Sequence, residues 1–350
     1  MQLNGDAIDK NAIIKGLKLT LIIGLVISSF IIIFTIDKDS LTRVIKIFDF
    51  KYISLLFLLI VLIWIIAGAR LKLLVNTVGG YITLIDAIII FLSGSFVSNV
   101  TPFASGGGPF QIIFLHKKGI NVGKSSTVIV TQFVLRLFFF GILTPIFFVF
   151  FHQSISPGAL PSYLFYFAFG IGVLFSLFII IFTLVPEITN KLIKKVFEIK
   201  KINYFLKNSQ RAKRFLVKGR RELREFQKSL DLLKRYKLRL LAAGLLTIVY
   251  WSLLFMVIPV ILSGLDLNPE FLKAYIMQTI FYLVLPYMPS PGGSGIAEIG
   301  FATIFVSFIP GNFIGLVTFT WRLFTFYLVL LIGGILAFKE INFMGSKENE

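Results

Sequence analysis

Arg136 and Arg322 lie in stretches built otherwise from Phe, Leu, Val, Ile and Thr. Each opens the same R-L-F-x-F string, Arg136-Leu137-Phe138-Phe139-Phe140 and Arg322-Leu323-Phe324-Thr325-Phe326. At the centre of a bilayer a guanidinium costs at least ~2.5–3.5 kcal/mol, so it needs a counter-charge or a polar cavity. Upstream of each arginine runs a string dense in proline and glycine. The first is Thr101-Pro102-Phe103-Ala104-Ser105-Gly106-Gly107-Gly108-Pro109, and the second is Pro286-Tyr287-Met288-Pro289-Ser290-Pro291-Gly292-Gly293-Ser294-Gly295. Glycines let backbone come close to a ligand, and a helix restarting after them aims unpaired N–H groups and partial positive charge at it. Those restarts fall near residues 108–110 and 295–297. Two arginines and two helix N-termini converging on one cavity suit a phosphate, which arginine grips bidentately. The candidate binding residues are therefore Arg136, Arg322, Gly106, Gly107, Gly108, Gly292, Gly293 and Gly295. Glu298, Gln111, Asn99 and Ser105 are the polar groups beside them.

Asp86 and Glu298 are the acids available inside the apolar stretches, and they leave two readings open. An Arg136–Glu298 or Arg322–Asp86 ion pair would satisfy the arginines internally, or Glu298 could carry a coupling proton. Gln132 and Gln278 are cavity polars or interhelical hydrogen-bond partners. Other chemistry finds little support. The chain has no cysteine, which excludes disulfides and thiolate sites, and its two histidines, His116 and His152, cannot alone build a usual zinc or iron site. The Gly-Gly-Ser-Gly run follows no strand and precedes no lysine, so it does not read as a nucleotide loop. No cofactor or metal is expected.

The elements that must position these residues are membrane helices. Of 350 residues 57% are apolar and 15% charged, with a mean hydropathy of +0.89, far from the ~25% charged of an ordinary soluble domain. The expected fold is an all-α polytopic membrane protein, a single domain over 1–350. Full spans are expected at 19–36, 53–69, 128–151, 163–185, 240–262 and 313–338, each near the ~20 apolar residues that cross a bilayer. Residues 84–115 and 272–309 are apolar runs interrupted by the Pro/Gly strings. Proline and glycine at that density stop a helix, and broken backbone at membrane depth must be covered by protein or line a wet cavity. Each therefore reads as a re-entrant hairpin.

Sliding the chain on itself by 186 residues sets Gly106-Gly107 on Gly292-Gly293 and Arg136 on Arg322. A duplication follows, with repeats at about 53–151 and 240–338. One repeat shift crosses three full spans, an odd number, so the halves should be inverted. Residues 187–239 carry 18 Lys/Arg against 5 Asp/Glu, most of the net charge of +18. By the positive-inside rule this loop is cytoplasmic, as are both termini. The loop contains no RNP-type aromatics or zinc finger, so it should meet anionic lipid headgroups and no nucleic acid.

The strings Thr101–Pro109 and Pro289-Ser290-Pro291-Gly292-Gly293-Ser294-Gly295-Ile296-Ala297-Glu298 resemble the lysylphosphatidylglycerol synthase transmembrane region, over about residues 16–338. This is the flippase-like part of the bifunctional multiple peptide resistance factor. The resemblance implies movement of a lipid product between leaflets of the plasma membrane. Only residues 339–350 follow the last expected span, so the aminoacyl-transferase activity of the bifunctional members is not expected here. The expected function is flipping of a phosphate-bearing lipid, such as an aminoacylated phospholipid or a polyprenyl-phosphate-linked glycan. Membrane lipids are the expected partners, and a separate lipid-modifying enzyme or a second copy of the chain fits beside them. The rival readings are an integral-membrane transferase using Asp86 or Glu298 as base, a small-anion transporter, and a partner protein that recruits others through the basic loop.

Overall fold

An apolar chain in lipid must close every backbone hydrogen bond within itself, and helices do so locally. The computed structural model describes residues 50–151, 170, 174, 228–229, 231–232 and 235–346, and these hold helices and turns with no strand. In the first half, α1 (Phe50–Thr77) is followed by α2 (Leu84–Val100), α3 (Gly107–Lys117) and α4 (Val122–Phe151). The second half contains α5 (Lys237–Phe255), α6 (Val257–Gly264), α7 (Phe271–Val284), α8 (Ile296–Phe305), α9 (Gly311–Arg322) and α10 (Leu328–Ser346). A π-turn, Leu323–Tyr327, joins α9 to α10. Four helical stretches are long and apolar enough to cross a membrane: Phe50–Thr77, Val122–Thr144, Lys237–Gly264 and Gly311–Glu340. The protein is an all-α membrane protein. The expected span 19–36 lies outside the described residues, and 163–185 lies outside them except at residues 170 and 174. Most of the basic segment 187–239 also falls outside.

Both halves have the same order: a long helix, a shorter one, a broken turn, a shorter one, then a long one. The packing repeats as well. The first hairpin packs α2 against α3, and α2 lies along α10 of the other half. The second packs α7 against α8, and α7 lies along α4 of the first half. The halves thus interlock through their hairpins. Small residues allow the close crossings: a Cβ on Gly68 would fall 2.5 Å from the Ile88 side chain, and one on Gly333 2.5 Å from the Leu92 carbonyl oxygen.

Helix α1 runs past the expected end at residue 69. Leu71, Leu74 and Val75 continue its buried face to Thr77, so Arg70 lies within the helix and is itself buried. The span expected at 240–262 has one irregularity, at Met256 between α5 and α6. Pro259 has no N–H to offer the Phe255 carbonyl four residues earlier. Gln278 of α7 fills that place, its Nε2 donating to Phe255 O at 2.8 Å and to Ala274 O at 3.1 Å. Gln278 is thus an interhelical hydrogen bond. The penalty of Gln278→Leu, measured by thermal unfolding in detergent, should exceed its penalty in a Pro259→Ala background by about 1 kcal/mol, the net worth of such a bond. Equal penalties would contradict the compensation.

Candidate functional site at the meeting of two broken hairpins

The first break is dictated by Pro102. The residue before a proline is pushed to extended backbone, and Thr101 ends α2 at φ −115°, ψ 142°. Its hydroxyl donates to Val97 O at 2.8 Å and accepts the Gly106 N–H at 3.0 Å, spanning the gap. A 3-10 turn, Pro102–Ala104, follows, and α3 restarts at Gly107. The second break has the same form. Ser290 is extended before Pro291, the 3-10 turn is Pro291–Gly293, and α8 restarts at Ile296. Both restarts lie within a residue of the expected positions.

The register between the tips differs from the expected one. The turns superimpose as Pro102-x-x-Ser105-Gly106 on Pro291-x-x-Ser294-Gly295, a shift of 189, three more than the shift that aligns the arginines. The structural counterparts of Gly292 (φ 60°) and Gly293 (φ 66°) are Phe103 (φ 55°) and Ala104 (φ 52°). The first tip therefore places two side-chain-bearing residues in the left-handed region, where each costs of order 1–3 kcal/mol. Gly106-Gly107 takes another role: a Cβ on Gly107 would fall 1.8 Å from Ser98 Oγ and 2.6 Å from Gly94 O, so glycine there lets α3 return flush against α2.

The two turns touch each other, and Pro291–Gly293 also rests on α2. A Cβ on Gly292 would meet Asn99 O at 2.7 Å and the Phe326 ring at 2.5 Å. Beneath the second turn lies a closed ionic cluster. Arg322 Nε donates to Glu298 Oε1 at 2.8 Å, and its Nη1 and Nη2 donate to Gly292 O, each at 3.4 Å. Glu298 Oε2 accepts the Gly295 N–H at 2.7 Å, as the N3 carboxylate of a capping box does. The guanidinium lies 4.2 Å from the Phe326 ring centroid and 5.4 Å from that of Trp321. Arg322 is 2% exposed and Glu298 0%.

The other candidates lie in several places. Arg136, half-buried on α4, stacks on Phe133 at 4.8 Å from the ring centroid. Gln111 of α3 lies against Gly94 across the hairpin. Ser105 is exposed, and its hydroxyl donates to Pro102 O at 2.9 Å. Gly108 is half-buried on α3, its nearest neighbour Ile129 of α4. Asp86 does not sit at depth. It occupies the first turn of α2, where it forms a reciprocal capping box with Thr83 and an ion pair of 2.6 Å with Lys118 at the end of α3. The Arg322–Asp86 and Arg136–Glu298 pairs give way to Arg322–Glu298 and Lys118–Asp86. A T-x-x-D signature at Thr83–Asp86 could have announced the helix start. Arg70, one residue past the span expected at 53–69, is a buried member of the bundle: its Nη1 donates to Thr247 Oγ1 at 3.1 Å.

A family model described as "Lysylphosphatidylglycerol synthase TM region" matches residues 21–333. The chain belongs to that family. It is 29% identical over 312 residues to a "UPF0104 membrane protein" of Archaeoglobus fulgidus, covering 87% of this chain and 91% of the relative. It is 25% identical over 313 residues to "UPF0104 membrane protein PH1989" of Pyrococcus horikoshii, covering 83% and 88%. No solved structure matches. Both broken hairpins fall inside the segment matched by the lysylphosphatidylglycerol synthase TM region, and membership makes the chain a multi-pass membrane protein of a family tied to lipid handling.

Removing one partner of a buried pair leaves the other charge uncompensated, at a cost of about 3–5 kcal/mol. Arg322→Met and Glu298→Gln should each lower the unfolding temperature in detergent sharply. The double variant Arg322→Met/Glu298→Gln should lose much less than the sum. Additive losses would show that the two side chains act independently.

Proposed function

We propose that the chain moves a phosphate-bearing lipid between the leaflets of the plasma membrane. The two hairpins enter from opposite faces in inverted halves, and the headgroup passes their meeting point while the acyl chains stay in lipid. The observation that carries this reading is the contact of two Pro/Gly tips inside an otherwise apolar helical bundle. Inverted halves with broken helices meeting near the midplane are the architecture of alternating access.

The tips also differ in the way such a mechanism requires. Phe103 and Ala104 of the first are exposed, whereas Gly293, Ser294 and Gly295 of the second are buried. One side is then open and the other closed, with Arg322 and Glu298 as the bolt on the closed side. The lysine-rich mouth of the first hairpin, Lys117, Lys118 and Lys124, supports an opening towards the cytoplasm, the side on which the proposal also puts both termini and the basic loop. The transferase reading has less support: both carboxylate oxygens of Glu298 accept hydrogen bonds, and Asp86 is bound to Thr83 and Lys118.

The test is leaflet exchange in proteoliposomes, comparing labelled phosphatidylglycerol and a labelled polyprenyl phosphate with a phosphate-free glycolipid. The phosphate-bearing lipids should exchange faster than in protein-free vesicles, and the glycolipid should not. Arg136→Gln should slow the phosphate-bearing lipids about tenfold or more, the loss expected for one charge-assisted contact. Folded protein that exchanges none of these lipids, or all of them alike, would contradict the proposal.

A further inference from the structure

The two tips share a residue pattern and a turn, yet one peptide group differs between them. Ser105 and Gly106 of the first tip have φ −71°, ψ −25° and φ −79°, ψ −23°. Their counterparts Ser294 and Gly295 have φ −55°, ψ 136° and φ 87°, ψ −58°. The serine φ and the glycine ψ stay in the same region. The serine ψ and the glycine φ, the torsions on either side of the rigid peptide plane, each differ by nearly half a circle. The peptide that joins the two residues is therefore flipped, while the chain before and after it keeps its course. Position 295 needs glycine for this, since φ 87° is a conformation that residues with side chains rarely adopt.

The flip decides which acceptor the glycine N–H meets. In the first tip the Gly106 N–H donates to Thr101 Oγ1 at 3.0 Å. In the second the Gly295 N–H donates instead to Glu298 Oε2 at 2.7 Å. Ser290 stands where Thr101 stands, and its hydroxyl is buried with no hydrogen-bond partner. The Ser294 hydroxyl is likewise buried and unpaired, whereas that of its counterpart Ser105 donates to Pro102 O at 2.9 Å. Buried hydroxyls left without partners are costly, and the second tip keeps two of them at positions that the first tip's arrangement pairs. The first tip has no such alternative, because the position matching Glu298 is Pro109, which brings no carboxylate. One donor with two acceptors in the same tip is a bistable element of the kind that switches are built from.

We propose that the Ser294–Gly295 peptide flips between Glu298 Oε2 and the Ser290 hydroxyl, and that this flip releases the second tip from its buried state. With the N–H on Glu298, the carboxylate that holds Arg322 also holds the start of α8, and the turn stays closed. With the N–H on Ser290, Gly295 takes the negative φ of Gly106 and Glu298 no longer binds backbone. The tip is then held by its own serines, as the exposed first tip is held by Thr101 and Ser105. Such an exchange of form between inverted halves is what alternating access requires. Its link to lipid movement rests on the proposed function, and the flip itself does not.

The test uses the full chain with a single cysteine, Ala297→Cys, in membrane fragments that expose both faces. Ala297 is 0% exposed and lies beneath the turn, its Cβ 3.6 Å from where a Cβ on Gly293 would stand. The rate at which this cysteine reacts with a water-soluble maleimide reads release of the tip. Gly295→Ala disfavours φ 87° and should speed the reaction about tenfold or more over the parent chain. Ser290→Ala removes the second acceptor and should slow it below the parent. Ser290→Thr, which carries the residue of the first tip, should restore it. Unfolding temperature in detergent is measured on each variant, and if Gly295→Ala does not fold, the two Ser290 variants decide. The switch is overturned if folded Gly295→Ala reacts no faster than the parent, if Ser290→Ala reacts as fast as the parent, or if Ser290→Thr reacts as slowly as Ser290→Ala. Leaflet exchange is measured alongside. Labelling that follows the prediction in a chain that moves no lipid leaves the switch and removes the flipping. Phosphate-selective exchange with labelling unchanged by these variants does the reverse.

Discussion

A helix that breaks inside an apolar bundle releases N–H and carbonyl groups that lipid cannot satisfy, and the rest of this structure is arranged around that constraint. At the second tip one side chain answers it twice. Arg322 donates to the Gly292 carbonyl, and its charge is neutralised by Glu298, which in turn accepts the Gly295 N–H. A guanidinium that caps loose backbone must bring a counter-ion with it, because an unpaired charge there would cost more than the carbonyl it satisfies. The π-turn directly after Arg322 belongs to the same solution. Its wider winding breaks the regular helical phase, and Phe326 within it lies 4.2 Å under the guanidinium, filling the space that a side chain on Gly292 would need.

The first tip meets the same constraint by other means. The Thr101 hydroxyl spans its break, and Phe103 and Ala104 take the left-handed conformations that glycines take at the second tip. The chain thus contains one tip that is buried and one that is exposed.

Much of this was legible in the sequence because proline and glycine act locally. The density of Pro102, Pro109, Pro289 and Pro291 with the glycines beside them marks both breaks, and helix restarts at Gly107 and Ile296 lie within a residue of where that density places them. Partnerships between distant residues were not legible. Glu298 and Arg322 are 24 positions apart, and nothing in spacing alone prefers that pair to Arg322–Asp86, although the T-x-x-D pattern at Thr83–Asp86 hints that Asp86 is a cap. The tip register misled because the glycine pair at 106–107 imitates the pair at 292–293, while the shared geometry follows proline and serine. Arg70 was hidden by convention: a charge after an apolar run looks like the end of a span. Only the continuing buried positions Leu71, Leu74 and Val75 show that the helix carries it inward.

The central claim is that two broken tips, 189 positions apart in sequence, meet inside the bundle. The chain has no native cysteine, so paired cysteines test this directly in cell membranes. One cysteine is placed in turn through residues 99–104 and the other through residues 290–293, followed by mild oxidation and a bifunctional reagent of about 8 Å reach. Efficient intramolecular cross-links between the two sets, absent when either cysteine is moved to the exposed face of α1, are the predicted result. Failure of every tip-to-tip pair, in protein whose Asp86 and Lys118 positions still cross-link across the mouth of the first hairpin, would contradict the account.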